Sequence, residues 1–417
     1  MTAVRVVVTG VGLLTPLGST IDEFARSLRD GAHGFRTVPY FDTTDYPIAS
    51  GAVLGARPAA LDELAVQHPE WETAELYGVH CARVALADAG LAASDVDPFR
   101  VGVAMASSNA GVETNHRHAQ SLHSGRARAG ETVVRTPATV SAAIRSDLGL
   151  RGPQAVVSTA CAAGSNSIGM GFDMIRGGSA DVVLAGGAEP FSELSFSGFT
   201  LLKSLSPTRL RPFDQDRDGT ALGEAACVLV LESAERARAR GARVIGEILG
   251  YGISDDAYHA TAPDPSGEGA ALAIRQCMRE AGLTVQDIDY VNAHGTGTRY
   301  NDVMELTALS QVLGDRLGDV PVSSTKSLHG HTLSCAGSIE ALACLIALDQ
   351  GFVPGNATDG PTLEEFPTAR LPLSSLGVGE LGGRLEVALS NSFGFGGNNT
   401  CIAVGSAGRV APVGAAV

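Results

Sequence analysis

The sequence predicts an α/β fold made of two similar halves, because one supersecondary unit occurs twice along its 417 residues. In this unit a helical stretch ends at a glycine, a short acidic turn follows, and a buried strand comes next. The two copies lie at residues 82–105 and 272–293. The 51 glycines and the scarcity of aromatic residues indicate that the sheets and helices pack through small and aliphatic side chains.

The two halves also match where they open and close. Similar β-branched strands occur in the same order in both, at 6–12 beside 245–252 and at 181–187 beside 386–392. Several matched pieces in one order favour a duplication. We therefore expect two mixed α/β halves at 1–240 and 241–410, followed by a tail at 411–417.

The bulk properties of the chain exclude several classes of function. Its formal net charge of −15 argues against a nucleic-acid binder or a protein of anionic membranes, since both require basic surfaces. No apolar run reaches membrane-spanning length. Seven scattered cysteines without a CxxC pair, and a start that leads directly into a strand, predict a cytoplasmic protein. His116, His118 and His123 have no matching acids or cysteines, so we expect no metal site.

Cys161 is the first candidate catalytic residue. It follows the β-branched pair Val156-Val157 and precedes small residues and an apolar-periodic stretch at 166–176. We therefore expect it between a buried strand and the start of a helix. The positive field of that helix end would favour the thiolate, which is the nucleophilic form. The alternative is an inert buried cysteine.

Two histidines of the second half also follow predicted strands. His294 stands in Asn-Ala-His-Gly-Thr-Gly-Thr at 292–298, and His331 ends Lys-Ser-Leu-His-Gly-His at 326–331. Either histidine alone could be a structural residue. Functional residues of open α/β sheets gather at the carboxyl ends of strands, so we expect Cys161 and both histidines in one site.

A thiol and two imidazoles suit condensation chemistry. The cysteine can carry an acyl group as a thioester, and two imidazole N–H groups can stabilise the enolate that forms when a malonyl thioester loses its carboxylate. A Cys-His protease would instead need one general base and an orienting Asn or Asp. Lys326 and Glu340 could form a charged pair that tunes the histidines.

Several segments together resemble one family. They are 158–161, 211–214 with 217–219, 256–259, the loops of His294 and of 326–331, and 391–398. On these motifs nearly the whole chain resembles the elongating β-ketoacyl-(acyl carrier protein) synthases of the thiolase superfamily. The resemblance implies a thiolase-like five-layered αβαβα fold with two duplicated halves, usually assembled as a homodimer. It also implies roles in catalysis, with Cys161, His294 and His331 as the triad and Lys326 with Glu340 as its supporting pair.

The same resemblance implies how substrates are held. Thr296 and Thr298 match residues that bind the phosphopantetheine arm of an acyl carrier protein. Phe395 matches a gate whose backbone N–H completes an oxyanion hole with that of the nucleophile. Asn109 and Phe199 fall at the acyl pocket. No resident cofactor is expected, because the phosphopantetheine arrives on the carrier.

Some positions depart from the family pattern. His329 replaces a threonine and adds a third imidazole, while Ser334 and Cys335 replace small residues. Asn109 stands where the acyl pocket tends to be apolar, and an unpaired buried amide costs roughly 1–3 kcal/mol. We therefore expect a short, polar or unsaturated acyl group, as in secondary metabolism.

The partner of such an enzyme is an acidic carrier, which requires a local basic patch on this acidic chain. The candidate cations are Lys203 and Arg209, together with Arg126 and Arg128. The last two belong to the segment 115–136, whose sequence without a clean period predicts a solvated loop or a partner-facing cap.

Several functional alternatives remain open at this point. We favour a ketosynthase of type II polyketide or related secondary metabolism, with a housekeeping fatty-acid elongation synthase as the alternative. The chain could form a homodimer or pair with a ketosynthase-like chain-length factor. It could itself be such a non-catalytic partner, although these typically lack the nucleophile. A thiolase would need a second cysteine as base, and neither Cys335 nor Cys401 lies in a Cys-Gly-rich loop.

Overall fold

The computed structural model describes residues 4–126 and 135–409, so the predicted tail at 411–417 lies outside it. Its strands are β1 Val6–Leu14, β2 Phe35–Thr37, β3 Ser50–Ala52, β4 Val101–Ala106, β5 Gln154–Val157, β6 Val182–Glu189, β7 Ala225–Ser233, β8 Gly246–Asp255, β9 Tyr290–Asn292, β10 Val322–Ser323, β11 Phe352–Val353, β12 Leu376–Gly377, β13 Val387–Gly394 and β14 Asn398–Ser406. Its α-helices are α1 Ile21–Asp30, α2 Ala59–Gln67, α3 Thr73–Asp88, α4 Val112–His123, α5 Ala138–Leu148, α6 Ala163–Arg176, α7 Glu193–Leu201, α8 Ala234–Ala239, α9 Glu268–Glu280, α10 Arg299–Leu313, α11 Lys326–His329, α12 Ala336–Gln350 and α13 Val378–Leu381.

The strand order repeats between the two halves. In the first half the order is β5-β4-β6-β7-β1, and in the second it is β10-β9-β13-β14-β8. In both, the first three strands of the order are parallel to one another, and the fourth strand, β7 or β14, is antiparallel to both of its neighbours. Val6 to Val8 pair with Gly246 to Ile248 and join the halves edge to edge. The shared topology supports the predicted duplication of the fold.

The layers follow from which helices contact which strands. Helices α6 and α12 pack on each other and touch strands of both halves, so they form the middle layer. Helices α3 and α5 cover the outer face of the first half, while α9 covers the second, with α10 packed on it. The arrangement is the five-layered αβαβα order that the resemblance implies.

Helix α12 is buried on all sides, as expected of a helix between two sheets. Every residue from Ala336 to Leu348 is buried. In the described part of the chain, the segment Leu333–Gln350 is long and apolar enough to span a membrane, yet 89% of it is buried inside the protein. This segment is therefore a core helix.

Small residues let the first turns of α6 and α12 come into contact. A Cβ at Gly164 would lie 2.6 Å from the carbonyl oxygen of Ser334, and a Cβ at Gly337 would lie 2.6 Å from the backbone nitrogen of Ser165. These contacts leave no room for a side chain. The close approach brings the start of α6, next to Cys161, against the turn that follows His331.

The prediction of a loop at 115–136 is wrong for its first part. Helix α4 continues from Val112 through His123. The helix is exposed and polar, so it lacks the apolar period by which helices are recognised. It is held by pairs four residues apart, Glu113 with Arg117 and His116 with Gln120.

Candidate active site

Cys161 lies in the sharp turn that the sequence predicts between a strand and a helix. The 3₁₀ turn Ala160–Ala162 connects β5 to α6, and the cysteine side chain is buried. Ala160 has a φ of 47°, a left-handed conformation that costs an L-residue roughly 1–2 kcal/mol. The strained turn holds the thiol at the first turn of α6.

The structure brings both predicted histidines to this thiol. His331 Nε2 lies 3.0 Å from Cys161 Sγ. The rings of His294 and His331 are nearly perpendicular, with centroids 5.4 Å apart. The sulfur and one nitrogen of each ring all lie within 4.8 Å of one another, and all three side chains are buried. A single substrate can therefore contact all three groups.

Lys326 fixes the tautomer of His294. Its Nζ lies 3.2 Å from His294 Nδ1 and forms a fully buried ion pair with Glu340. An ammonium group can only donate, so Nδ1 accepts and the ring proton stays on Nε2. Burial, and then the charge of Lys326, hold the pKa of His294 well below its usual value of 6.5. His294 is therefore a neutral donor that presents Nε2–H near the thiol.

Glu305 is a residue of this site that the sequence analysis missed. Its carboxylate accepts hydrogen bonds from the backbone nitrogens of His294 and Gly295, both at 2.8 Å. It is fully buried, which raises its pKa to about 7. The sequence shows a glutamate on the helix just after the His-Gly turn. Its contact with the backbone of that turn depends on how α10 folds back on β9, which no local pattern indicates.

The expectation of a thiolate in the resting site is wrong. Burial raises the pKa of Cys161 to about 12, while the charge of Lys326 and the N–H of Phe395 act in the opposite direction. Burial is the largest of these influences on the thiol, so its pKa is raised and not lowered. The pKa of His331 is held well below 6.5, again by burial first, so its ring is neutral and Nε2 can accept the thiol proton.

This balance predicts the pH dependence of thiol alkylation. A raised pKa lowers the thiolate fraction at neutral pH, so the rate of alkylation of Cys161 by iodoacetamide should keep rising about tenfold per pH unit beyond pH 9. The measurement is the loss of the Cys161 peptide by mass spectrometry at each pH. A plateau below pH 8 would contradict the raised pKa.

A pocket of about 130 Å³ leads from the surface to Cys161. Thr296 and Thr298 line it, and their hydroxyl oxygens are 2.9 Å apart. Phe395 stands beside the thiol and stacks on Phe199 with ring centroids 5.6 Å apart. All four residues line the same pocket as Cys161.

Asn109 lies elsewhere, and its expected energetic cost is absent. It lines a separate cavity of about 620 Å³ and not the pocket of Cys161. Its amide donates to the carbonyl of Pro190 at 3.2 Å and accepts from the hydroxyl of Ser195 at 2.6 Å. Because both ends of the amide are satisfied, Asn109 gives no reason to expect a polar acyl group. Asn109 therefore does not favour secondary metabolism over fatty-acid elongation.

His329 does not join the catalytic groups. It is fully buried, its Nδ1 bonds to the carbonyl of Gly330 at 2.8 Å, and its Nε2 pairs with the hydroxyl of Thr325 at 3.0 Å. Burial lowers its pKa to about 3, so it stays neutral. The third imidazole therefore bonds to Thr325 and Gly330, the two residues that flank α11, the helix that carries Lys326.

The predicted docking residues are dispersed. Lys203 is exposed beside Ser204, which lines the mouth of the pocket. Arg209 is paired with Asp359 at 2.7 Å and faces another cavity. Arg126 is exposed after the end of α4, and Arg128 lies outside the described residues. Of the three cations that the structure describes, Lys203 is the one that stands next to a residue of the pocket.

The triad has the composition of a metal site but not the protonation. Among the described residues, Cys161, His294 and His331 are the group whose ligand atoms are close enough to share an ion. Zinc would require the lone pair of His294 Nε2. The hydrogen bond from Lys326 to Nδ1 keeps the ring proton on Nε2, so the geometry favours donation by Nε2 to a substrate over metal binding.

Comparison with known proteins identifies the family of the chain. The beta-ketoacyl synthase N-terminal and C-terminal domain families match residues 3–237 and 245–358. The chain is 38% identical to 3-oxoacyl-(acyl-carrier-protein) synthase 2 of Vibrio cholerae, over 95% of this chain and 97% of that protein.

Solved structures give the same result. The ishigamide ketosynthase/chain length factor matches with a TM-score of 0.87 and 32% identity, covering 97% of this chain and 100% of that one. AntDE:AntF, a type II PKS acyl-carrier protein in complex with its ketosynthase, matches with a TM-score of 0.84 and 26% identity, covering 97% and 100%. The chain belongs to the β-ketoacyl synthase family.

Proposed function

We propose that the chain condenses an acyl group held on Cys161 with a malonyl group held on an acyl carrier protein, giving a β-ketoacyl carrier and CO₂. The observation that supports this proposal most directly is that three reactive side chains surround one point. A thiol lies 3.0 Å from a neutral imidazole, and a second imidazole, oriented by Lys326, presents its N–H to the same point.

The first step is transfer of the acyl group to Cys161. The sulfur attacks the thioester carbonyl, and its proton passes to His331 Nε2 and then to the departing carrier thiolate. The backbone N–H of Phe395 lies near enough to the sulfur to lower the pKa of Cys161, and a Cβ at Gly394 would lie 3.0 Å from the backbone nitrogen of Cys161. The N–H groups of Phe395 and Cys161 are therefore suited to stabilise the oxyanion.

The second step is decarboxylation and carbon–carbon bond formation. The malonyl thioester carbonyl accepts hydrogen bonds from Nε2–H of His294 and of His331 as the bond to the carboxylate breaks and CO₂ leaves. In the described part of the chain His331 Nδ1 has no hydrogen-bond partner, so the proton can move to Nε2 for this step. The enolate carbon then attacks the acyl carbon, the bond from that carbon to the sulfur of Cys161 breaks, and the released thiolate takes up one proton from solvent to return to the thiol.

The carrier supplies the arm on which both substrates arrive. We propose that Thr296 and Thr298 bind its phosphopantetheine, since both hydroxyls line the pocket that leads to Cys161. No resident cofactor takes part in this scheme. Seven free cysteines, all buried, support a reducing cytoplasmic location.

Mass spectrometry after incubation with acyl-carrier thioesters tests the proposal. An acyl adduct on the Cys161 peptide, followed by a β-ketoacyl carrier when malonyl-carrier is added, is the expected result. The same assay, run with acyl groups of different length and saturation, separates fatty-acid elongation from polyketide assembly. Names of both kinds occur among the similar proteins. The absence of any adduct would refute the proposal.

The assembly is proposed to be a dimer, either of two such chains or with a ketosynthase-like chain-length factor. Strand β5 ends the sheet with one edge unpaired in the described chain, and its Val156 is 37% exposed. An uncovered strand edge favours pairing with another chain. Gel filtration of the chain by itself distinguishes a homodimer from a subunit that awaits a different partner.

Lys203 should contribute to carrier docking more than Arg209 does. Lys203→Glu is expected to raise the KM for the carrier about threefold to tenfold at low salt with little change in kcat, because rim charges act mainly on encounter. Arg209→Glu, whose partner is Asp359, is the matched control and should have a smaller effect.

Chemical labelling gives an independent measurement of the same contact. Lys203 and the buried Lys326 are the two lysines of the chain, so an amine reagent reports on Lys203. Bound carrier should protect it from the reagent. Equal KM effects of the two reversals, together with unprotected labelling, would contradict this docking position.

A further inference from the structure

Glu189 is a buried carboxylate that the proposed chemistry does not use. It ends β6 and is fully buried. No lysine, arginine or histidine of the described residues lies within ion-pairing distance of it. Burying a carboxylate without a counter-ion is costly unless several donors satisfy it, so its hydrogen bonds must be numerous.

Four donors converge on this carboxylate from two different elements. The backbone nitrogens of Asn109 and Ser108 donate to it at 2.7 and 2.9 Å. The backbone nitrogen of Ser334 donates at 3.3 Å, and the Ser334 hydroxyl also donates to it. Glu189 therefore joins the segment after β4 to the turn before α12.

The first of these elements leads to the acyl pocket. Asn109 reaches Ser195 at the start of α7 through its side chain. Four residues along the same helix, Phe199 lines the pocket of Cys161 and stacks on Phe395. A shift of the segment 108–109 is therefore passed to the aromatic pair beside the thiol.

The second element leads to the catalytic histidine. Ser334 follows His331 by three residues, in the 3₁₀ turn Leu333–Cys335 that opens α12. This helix carries Glu340, the ion-pair partner of Lys326. The turn therefore connects the carboxylate of Glu189 to His331 directly along the chain. It also connects it to His294, through Glu340 of α12 and Lys326.

The internal duplication explains why this contact exists. Ser334 occupies the position of Cys161 in the second half, because Thr-Leu-Ser-Cys-Ala-Gly-Ser at 332–338 repeats Thr-Ala-Cys-Ala-Ala-Gly-Ser at 159–165. Leu333, like the residue before Cys161, has a φ of 47°. Glu189 and Gly394 end equivalent strands of the two sheets. A carboxylate thus faces the serine where, in the other half, backbone N–H groups face the nucleophile.

We propose that Glu189 is a positioning residue that holds the segment 108–109, which contacts the pocket through α7, and the turn after His331 in register with each other. The inference rests on the proposed condensation and adds a determinant of acyl-chain preference. Burial raises the pKa of Glu189 to about 7, which agrees with a carboxylate whose ionised form depends on these four donors.

Two substitutions of Glu189 should have different effects. Its Oε2 accepts three of the four donors and Oε1 accepts the N–H of Asn109. In Glu189→Gln the amide oxygen is expected at the Oε2 position, so the NH₂ group opposes the N–H of Asn109 and displaces the segment 108–109. Glu189→Ala releases both elements.

The experiment uses butyryl-, lauroyl- and malonyl-pantetheine with the full chain. We expect E189Q to change the ratio of lauroyl to butyryl loading of Cys161 by at least about fivefold, the effect of one disrupted hydrogen bond. We expect E189A to change this ratio and also to lower malonyl decarboxylation at least about tenfold, more than E189Q does. All rates are divided by the fraction of Cys161 that can be titrated.

Glu232→Gln is the matched control. Glu232 is also a fully buried carboxylate at the end of a strand, but it contacts Thr9, Arg236 and Arg240. E232Q should lower the melting temperature without changing the loading ratio. An equal change of ratio in E232Q, or none in E189Q, would overturn the role of Glu189. A wild-type chain that neither loads nor decarboxylates would instead refute the proposed function itself.

Discussion

Replacing Cys161 with serine is expected to abolish condensation, lowering its rate by on the order of 10³-fold or more. A serine hydroxyl at neutral pH is a much poorer nucleophile than a thiol beside an imidazole, so no acyl-enzyme accumulates. The substitution changes one atom of a buried side chain, and the fold should persist. The measurement is the amount of β-ketoacyl carrier formed, detected by mass spectrometry.

The same variant should still decarboxylate malonyl carrier. That step needs hydrogen-bond donors at the thioester carbonyl, and His294 with its Lys326 partner is intact. His294→Ala is the complementary control, because it removes a donor of the second step while Cys161 and His331 remain 3.0 Å apart for acylation. A serine variant that forms product at the wild-type rate would contradict the assignment of the nucleophile.

The sequence is sufficient to predict the elements that carry the triad. Cys161 and His294 each follow a strand, while His331 follows β10 and the short helix α11; local patterns of β-branched residues and glycines reveal the strand ends. The order of the matched segments also predicts the repeated topology. These features depend on residues that are close together along the chain.

The environment of the site could not be predicted in the same way. The amide of Asn109 is satisfied by Ser195, 86 residues further along, and no local pattern indicates this contact. The pKa of Cys161 depends on the sum of burial and charges contributed by three separate segments. Helix α4 was missed because an exposed polar helix has no apolar period. Each failure concerns a quantity that only tertiary packing determines.

The buried pair of Lys326 and Glu340 allows stability to be separated from catalysis. Lys326→Met leaves Glu340 buried without its partner, and breaking such a pair typically costs about 3–5 kcal/mol. The double variant Lys326→Met/Glu340→Leu removes both charges and should recover most of this loss, because an apolar pair of similar size is often neutral. Urea unfolding of the single and double variants measures both values.

Decarboxylation should not recover with stability in the double variant. Without Lys326 no ammonium holds the proton of His294 on Nε2, and loss of an oriented tautomer or donor costs about 10²–10³-fold. The charge of Lys326 also lowers the pKa of His294, so its removal should raise that pKa and move the acidic limb of the decarboxylation profile to higher pH. Wild-type decarboxylation in a restabilised double variant would mean that Lys326 serves the fold alone. A stable but slow enzyme with a shifted acidic limb would identify Lys326 as the group that keeps His294 a neutral donor.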